Sequence, residues 1–318
     1  MANIDKEQRW KGVITSSASD ALAVSYAAKE FRTPSIIVLP EHTAKTKVKE
    51  LTRLGSTVKL HGLSVDAAKE ECLRLQSLHD LILMPQPSDD YIIAGHGTIG
   101  QEIIQQTNPS QIQAVFCPIS CGTLIAGLGI YLKRATPNIK LIGVQLHDST
   151  DISRLIHCKG QLTLEEHLVS RNVCPKVARI CSDVIDDIVH VTTNEVLIAI
   201  KNIYEDTRQL VNTEGALAVA GTKSWITSNG LVGSEKEFIA ITSEAQLDFS
   251  EISSIAKQAS LAEMAMRSEI DSGLESLVHS AGIASTCAGD GWSSSTTVVG
   301  TETTATFTSD VDGSLWNS

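Results

Sequence analysis

Short runs of consecutive apolar residues alternate along this chain with longer stretches in which apolar positions recur every three or four residues. The runs predict buried strands, and the periodic stretches predict helices packed against them. Residues 12–15 form the first run, with Ser19 and Asp20 after it as candidate N-caps for a helix over 21–31. Residues 35–39 (SIIVL) read as a buried strand closed by Pro40, and 43–54 as a basic amphipathic helix stopped by Gly55. A strand at 57–60, a helix over 65–78 and a strand at 81–84 follow. Four short strands separated by crossover helices predict a parallel sheet covered on both faces.

A second series begins beyond a loop at 85–90. Residues 91–94 are apolar enough for a strand, 97–106 look helical, 114–119 (AVFCPI) read as a strand and 124–134 as a helix. Strands at 140–145 and 184–191, helices over 195–208 and 215–225, a strand at 238–242 and a helix over 252–263 complete it. The whole predicts an α/β protein of two parallel-sheet, three-layer domains that cross near 92–95. The expected division is a helical segment at 1–12, a smaller domain at 13–94, a larger one at 95–268 and a tail at 269–318. Within 285–318, fifteen of thirty-four residues are Ser or Thr and none is Lys or Arg. So little apolar surface does not offset the entropy of ordering, and disorder is expected. A β-rich reading of 294–308 rests only on the strand preference of Thr and Val.

Composition narrows the function classes. The net charge of −11 argues against nucleic acid and anionic membrane surfaces as partners. No apolar run approaches the roughly 18 residues of a membrane span, and residues 1–11 carry no apolar signal core. Seven scattered cysteines without a CxxC pair fit a reduced, cytosolic setting.

Residues 95–100 (GHGTIG) match GxGxxG, but the next strand does not end in the acidic residue that a dinucleotide fingerprint needs. Glycines at a domain crossing are the preferred reading. Residues 122–127 (GTLIAG) open a helix after a strand, where backbone N–H groups point at an anion; the Lys and Ser/Thr of a P-loop are missing. Cys117 and Cys121 have no second ligand pair, so no metal site is expected. The run 183–187 (DVIDD) reads as a solvated face.

Several stretches in unbroken order resemble the biosynthetic threonine dehydratases. They are 12–15 with Ser17 and Ala18, 27–29, 36–40, 46–49 with 53–55, 93–102, 124–127, 140–144, 204–208 and 215–218. The resemblance runs from about residue 6 to about residue 263. It implies the tryptophan-synthase-β-like fold (fold type II), which holds pyridoxal phosphate (PLP) between a smaller and a larger domain. The family reaction takes L-threonine to 2-oxobutanoate and ammonia.

The resemblance also shows departures at the cofactor. The family's lysine lies in an S-F-K-x-R-G-A motif shortly before the Gly12–Thr15 match, and is expected upstream of Met1; Lys6 and Lys11 lack its surroundings. The S-A-G-N-H motif reads Ser17-Ala-Ser-Asp20, and G-G-G-G-L reads Ser120-Cys121-Gly122-Thr123-Leu124. The E-P-[SA]-G-A motif reads 212–216 (NTEGA), and S-G-[AG]-N reads Ser243-Glu244-Ala-Gln. The positions corresponding to cofactor contacts are thus Ser17, Asp20, Ser120, Cys121, Gly122, Thr123 and Ser243. No cofactor is expected, and the isoleucine-sensing regulatory domain of biosynthetic members is not expected either. The first expectation is a pseudoenzyme paired with a second copy or a full-length paralogue, with an amino-acid-like metabolite as possible ligand. The second is a PLP-independent enzyme using Asp20 and Glu244 as acid and base, in a cleft with Asn212 and His96. The third is a working threonine or serine ammonia-lyase.

Overall fold

The computed structural model describes residues 1–318 except 3, 85–88, 148–173, 244, 246, 248, 282–302 and 308–318; of 267–281 and 303–307 it describes the backbone only. The chain divides into two compact units, Met1–Asp89 and Asp90–Ser318.

The first unit holds a parallel sheet in the order β3-β2-β1-β4, from β1 (Val13–Thr15), β2 (Ser35–Leu39), β3 (Thr57–Leu60) and β4 (Ile82–Leu83). Helices α2 (Ala21–Glu30), α3 (Lys45–Arg53) and α4 (Val65–His79) connect the strands, and α1 (Lys6–Arg9) precedes them. Strand alternation assigns the two faces. Val13, Ile37 and Leu39 pack with Ala21, Val24, Ala28 and Leu51, while Ile14 and Val38 pack with Ala68, Cys72 and Leu75. Three buried serines need partners and find each other: Ser35 and Ser56 Oγ are 2.7 Å apart, and Ser56 Oγ donates to Ser25 Oγ at 2.7 Å. On α4, the buried Glu71 carboxylate accepts from Lys59 (2.5 Å) and Arg74 (2.7 Å).

The second unit orders its strands β7-β6-β5-β8-β9: β5 (Ile112–Pro118), β6 (Lys140–Leu146), β7 (Asp187–Val191), β8 (Glu237–Thr242) and β9 (Thr303–Phe307). Strands β5 to β8 are parallel, and β9 joins β8 antiparallel. One face carries α5 (Asp90–Gln106), α6 (Thr123–Ala135) and α7 (Pro175–Val184) over Val115, Cys117, Leu141, Ile239 and Ile241. The other carries α8 (Thr193–Thr207), α9 (Thr213–Ser228) and α10 (Ile252–Ala281) over Phe116, Ile142, Val144 and Phe238. Trp225 of α9 meets Phe116 edge-on at 5.6 Å between ring centroids.

Two expectations change here. Residues 91–94 are not a strand but the opening of α5. The GxGxxG glycines therefore lie inside a helix; for Gly97 and Gly100 the reason is packing, while Gly95 faces open space. A Cβ at Gly100 would stand 2.9 Å from Tyr131 Cδ1, and one on Gly127 of α6 would stand 2.1 Å from the Ile93 carbonyl oxygen. The two helices approach too closely for side chains at their crossing. In the region expected to be disordered, 269–281 continues α10 and Thr303–Phe307 completes the free edge of β8; the rest of that region lies outside the described residues. Among the described residues, no helix is long and apolar enough to cross a membrane.

Candidate functional site

In the second unit, β5 ends at Pro118 and the chain turns away through Ser120 and Cys121 into α6. Ile119 N–H donates to the Val144 carbonyl (2.9 Å), which holds the turn against β6. Gly122 is the N-cap and sits in the left-handed region at φ +85°, a conformation that a side chain there would strain. No side chain caps this helix end. The first-turn N–H groups of a thirteen-residue helix thus meet the end of the loop, an arrangement that favours an anion.

The side chains around the loop are small and polar or soft. Thr123 is buried, with its Oγ1 3.3 Å from Cys121 Sγ. From α7, the buried Cys181 thiol donates to the Gly122 carbonyl at 3.5 Å. Burial pushes the Cys181 thiol up to about 12, with Cys121 adding to the rise. Ser243 follows β8, the parallel neighbour of β5, so Ser243 and Ser120 leave the same edge of the sheet. At that edge β6 contributes Gln145, 2% exposed, whose Oε1 has no hydrogen-bond partner among the described residues.

The other sequence candidates separate from this group. Ser17 and Asp20 belong to the first unit, in the turn after β1. Ser17 Oγ donates to Asp20 Oδ2 at 2.5 Å, so this carboxylate is engaged within its own turn. Asp20 does occupy the N-cap position of α2, but its side chain makes no capping bond. Asn212 is a helix cap: its Oδ1 accepts from Gly215 N–H at 2.9 Å at the start of α9. His96 lies within α5, beside the crossing with Gly127. Glu244 lies outside the described residues. Sequence reading missed Cys181, whose approach to Gly122 spans the whole β6–α7 connection. It also passed over Gln145, although one amide in an apolar strand is a readable signal.

Against known proteins, residues 1–241 match the family described as "Pyridoxal-phosphate dependent enzyme". The threonine dehydratase-like protein AKTS1-1 of Alternaria alternata is 39% identical over 83% of this chain and 66% of its own length. The mitochondrial threonine dehydratase of Schizosaccharomyces pombe is 37% identical over 82% of this chain and 45% of its own. The processed form of threonine deaminase isoform 2 from Solanum lycopersicum superposes with a TM-score of 0.74 at 32% identity, covering 82% of this chain and 73% of that one. This chain belongs to the threonine dehydratase-like PLP enzymes.

Its fold is accordingly fold type II, as the strand orders of the two sheets indicate. It spans about half to two-thirds of the length of the curated relatives it matches. Membership overturns the expectation that no cofactor belongs to this chain, because the family is PLP-dependent. The error had a physical source: it weighed substituted side chains above the backbone that meets the phosphate. A phosphate seat is made chiefly of N–H groups and a left-handed turn, and Gly122 with the uncapped end of α6 supplies both.

The residues at the phosphate end therefore fit the cofactor. Gly122 gives the turn, Thr123 and Leu124 the first-turn N–H groups, and Ser243 stands at the same sheet edge. The amine end is different. Among the described residues no lysine is buried. Lys11, Lys59, Lys133, Lys176 and Lys201 are paired with Asp80, Glu71, Asp186, Asp90 and Glu263.

Proposed function

We propose that this chain is a threonine dehydratase-like pseudoenzyme that seats PLP by its phosphate and does not turn L-threonine over by itself. It serves as a subunit beside a second copy or a full-length dehydratase, in amino-acid or specialised metabolism. The state of the lysines carries this reading. The family's chemistry needs an amine freed of its proton at neutral pH, which takes burial or a neighbouring cation. The described lysines are exposed or half-buried instead, and five of them are ion-paired with carboxylates.

When bound, the cofactor supplies an electron-withdrawing ring that stabilises negative charge at an amino acid's α-carbon. What this chain contributes is binding. The α6 N-terminus and Thr123 suit a phosphate dianion, and their partial positive charge is part of the backbone rather than of a mutable side chain. Two other family positions have taken structural duties: Asp20 accepts from Ser17, and Asn212 caps α9.

The test is a keto-acid assay on the purified 318-residue chain, loaded with PLP and given L-threonine or L-serine. No product above the blank is expected, and the cofactor should leave on gel filtration. Keto acid from the loaded protein, or PLP fixed to a lysine by borohydride, would overturn the reading. A working threonine dehydratase is the second reading, favoured by the 37% identity to the Schizosaccharomyces pombe protein of that name; the same assay decides between them. The subunit role is read by adding this chain to an active dehydratase, whose rate or stability should change.

A further inference from the structure

We infer that Cys121 and Cys181 are a redox-linked thiol pair in the phosphate seat, which hydrogen peroxide joins as a disulfide that closes the seat. The closing rests on the reading of Ser120–Thr123 as a phosphate seat; the chemistry of the pair rests on the thiols alone.

Both cysteines are free thiols, and they come to the loop from different elements. Cys121 lies in the loop itself, half-buried, with its sulfur 3.3 Å from Thr123 Oγ1. Cys181 rises from α7, fully buried, with its sulfur 3.5 Å from the Gly122 carbonyl oxygen. The two sulfurs thus flank the short segment from Cys121 to Thr123 that opens α6. Their exposures give them different parts. Of the two, only Cys121 meets an oxidant from solvent. Cys181 waits behind it. Its raised value keeps it a thiol, with a proton to give up when the partner sulfur has been oxidised.

The steps balance. The Cys121 thiolate attacks peroxide, the O–O bond breaks, and sulfur takes one oxygen as a sulfenic acid while hydroxide leaves and is protonated to water. Cys181 sulfur then attacks Cys121 sulfur, the S–O bond breaks, and the departing hydroxide takes the Cys181 proton as a second water. Two thiols and one peroxide give one disulfide and two waters. The new bond, about 2.05 Å long, draws Cys121 away from Thr123 and ties the loop to α7. The first-turn N–H groups then no longer converge on one anion.

The experiment treats the reduced full chain with stoichiometric hydrogen peroxide, blocks remaining thiols and maps peptides without reduction. A Cys121–Cys181 peptide is expected. Oxidised Cys181→Ser should instead carry a dimedone-trapped sulfenic acid at Cys121. Cys121→Ser, altered at the more exposed position, should leave Cys181 unmodified. Affinity for PLP, read by tryptophan fluorescence, should fall at least about tenfold on oxidation, as for one charge-assisted hydrogen bond lost, and return with dithiothreitol. Oxidation of Cys121 without a link, or a link through Cys117 or Cys174, overturns the pair. A linked chain with undiminished affinity overturns the closing. If the reduced chain binds no PLP while the link forms, the phosphate seat fails and the thiol pair stands.

Discussion

The two units answer the same architectural problem and have kept different things at the ends of their sheets. In the first, the turn after β1 has folded in on itself, with Ser17 donating to Asp20 at 2.5 Å. In the second, the turn after β5 places Gly122 at φ +85°, and among the described residues no side chain caps the start of α6. A contact made by a side chain is lost with one substitution. A contact made by N–H groups survives any substitution that leaves the backbone path intact. That contrast makes the backbone turn before α6 the more durable of the two.

The largest expected effect tests whether the second unit's core is what holds that path. Phe116 is fully buried in the strand leading to the loop, against Trp225, which also meets Phe238. Phe116→Ala should cost about 3–5 kcal/mol. Hydrogen exchange should show lost protection across β5, β6 and β8, with the β1–β4 sheet of the first unit little changed. Equal loss in both would break the comparison, since it would mean the two cores stand or fall together.

Next in size is Gly122→Ala. The left-handed backbone makes it cost roughly 1–2 kcal/mol, and the re-aimed N–H groups should weaken PLP at least about tenfold. Thr123→Val, which keeps the backbone, should weaken it less. If Thr123→Val proves the more damaging, the seat depends on a hydroxyl rather than on the backbone.

These two effects mark what was legible in the sequence. The SIIVL and AVFCPI strands are visible because each is a short apolar run, rich in β-branched and aromatic residues, of the length a doubly covered sheet needs. The loop before α6 is visible for a related reason, since a strand turning directly into a helix exposes N–H groups whatever its side chains. Of α5, residues 97–106 read as helix, but its opening at 91–94 reads as a strand. Its buried stripe is Ile93, Gly97, Gly100 and Ile103, and glycines do not register as apolar although they are what admits α6. Cys181 reaches Gly122 across a separation that no local pattern encodes.

A smaller effect comes from charge in the first unit. Hydrogen bonds from Arg74 and Lys59 hold the Glu71 carboxyl down at about 2. Its folded value lies below its unfolded one, so its contribution is fully present above about pH 4.5. It fades as pH falls towards 2. Glu71→Gln should therefore lower the melting temperature at pH 7 and converge with the parent in strong acid. Because Lys59 and Arg74 are substantially exposed, 150 mM salt should shrink the difference. A difference that grew in acid would have the wrong sign for this mechanism.

The smallest expected effect is the most discriminating for the turn after β1. Asp20→Asn removes the charge that Ser17 Oγ faces. The hydrogen bond survives with a neutral acceptor, so stability should change by no more than about 1 kcal/mol. If the carboxylate's place in its own turn is its whole function, the PLP affinity of Asp20→Asn will match the parent within about twofold. A tenfold gain would instead show that this charge opposes the cofactor.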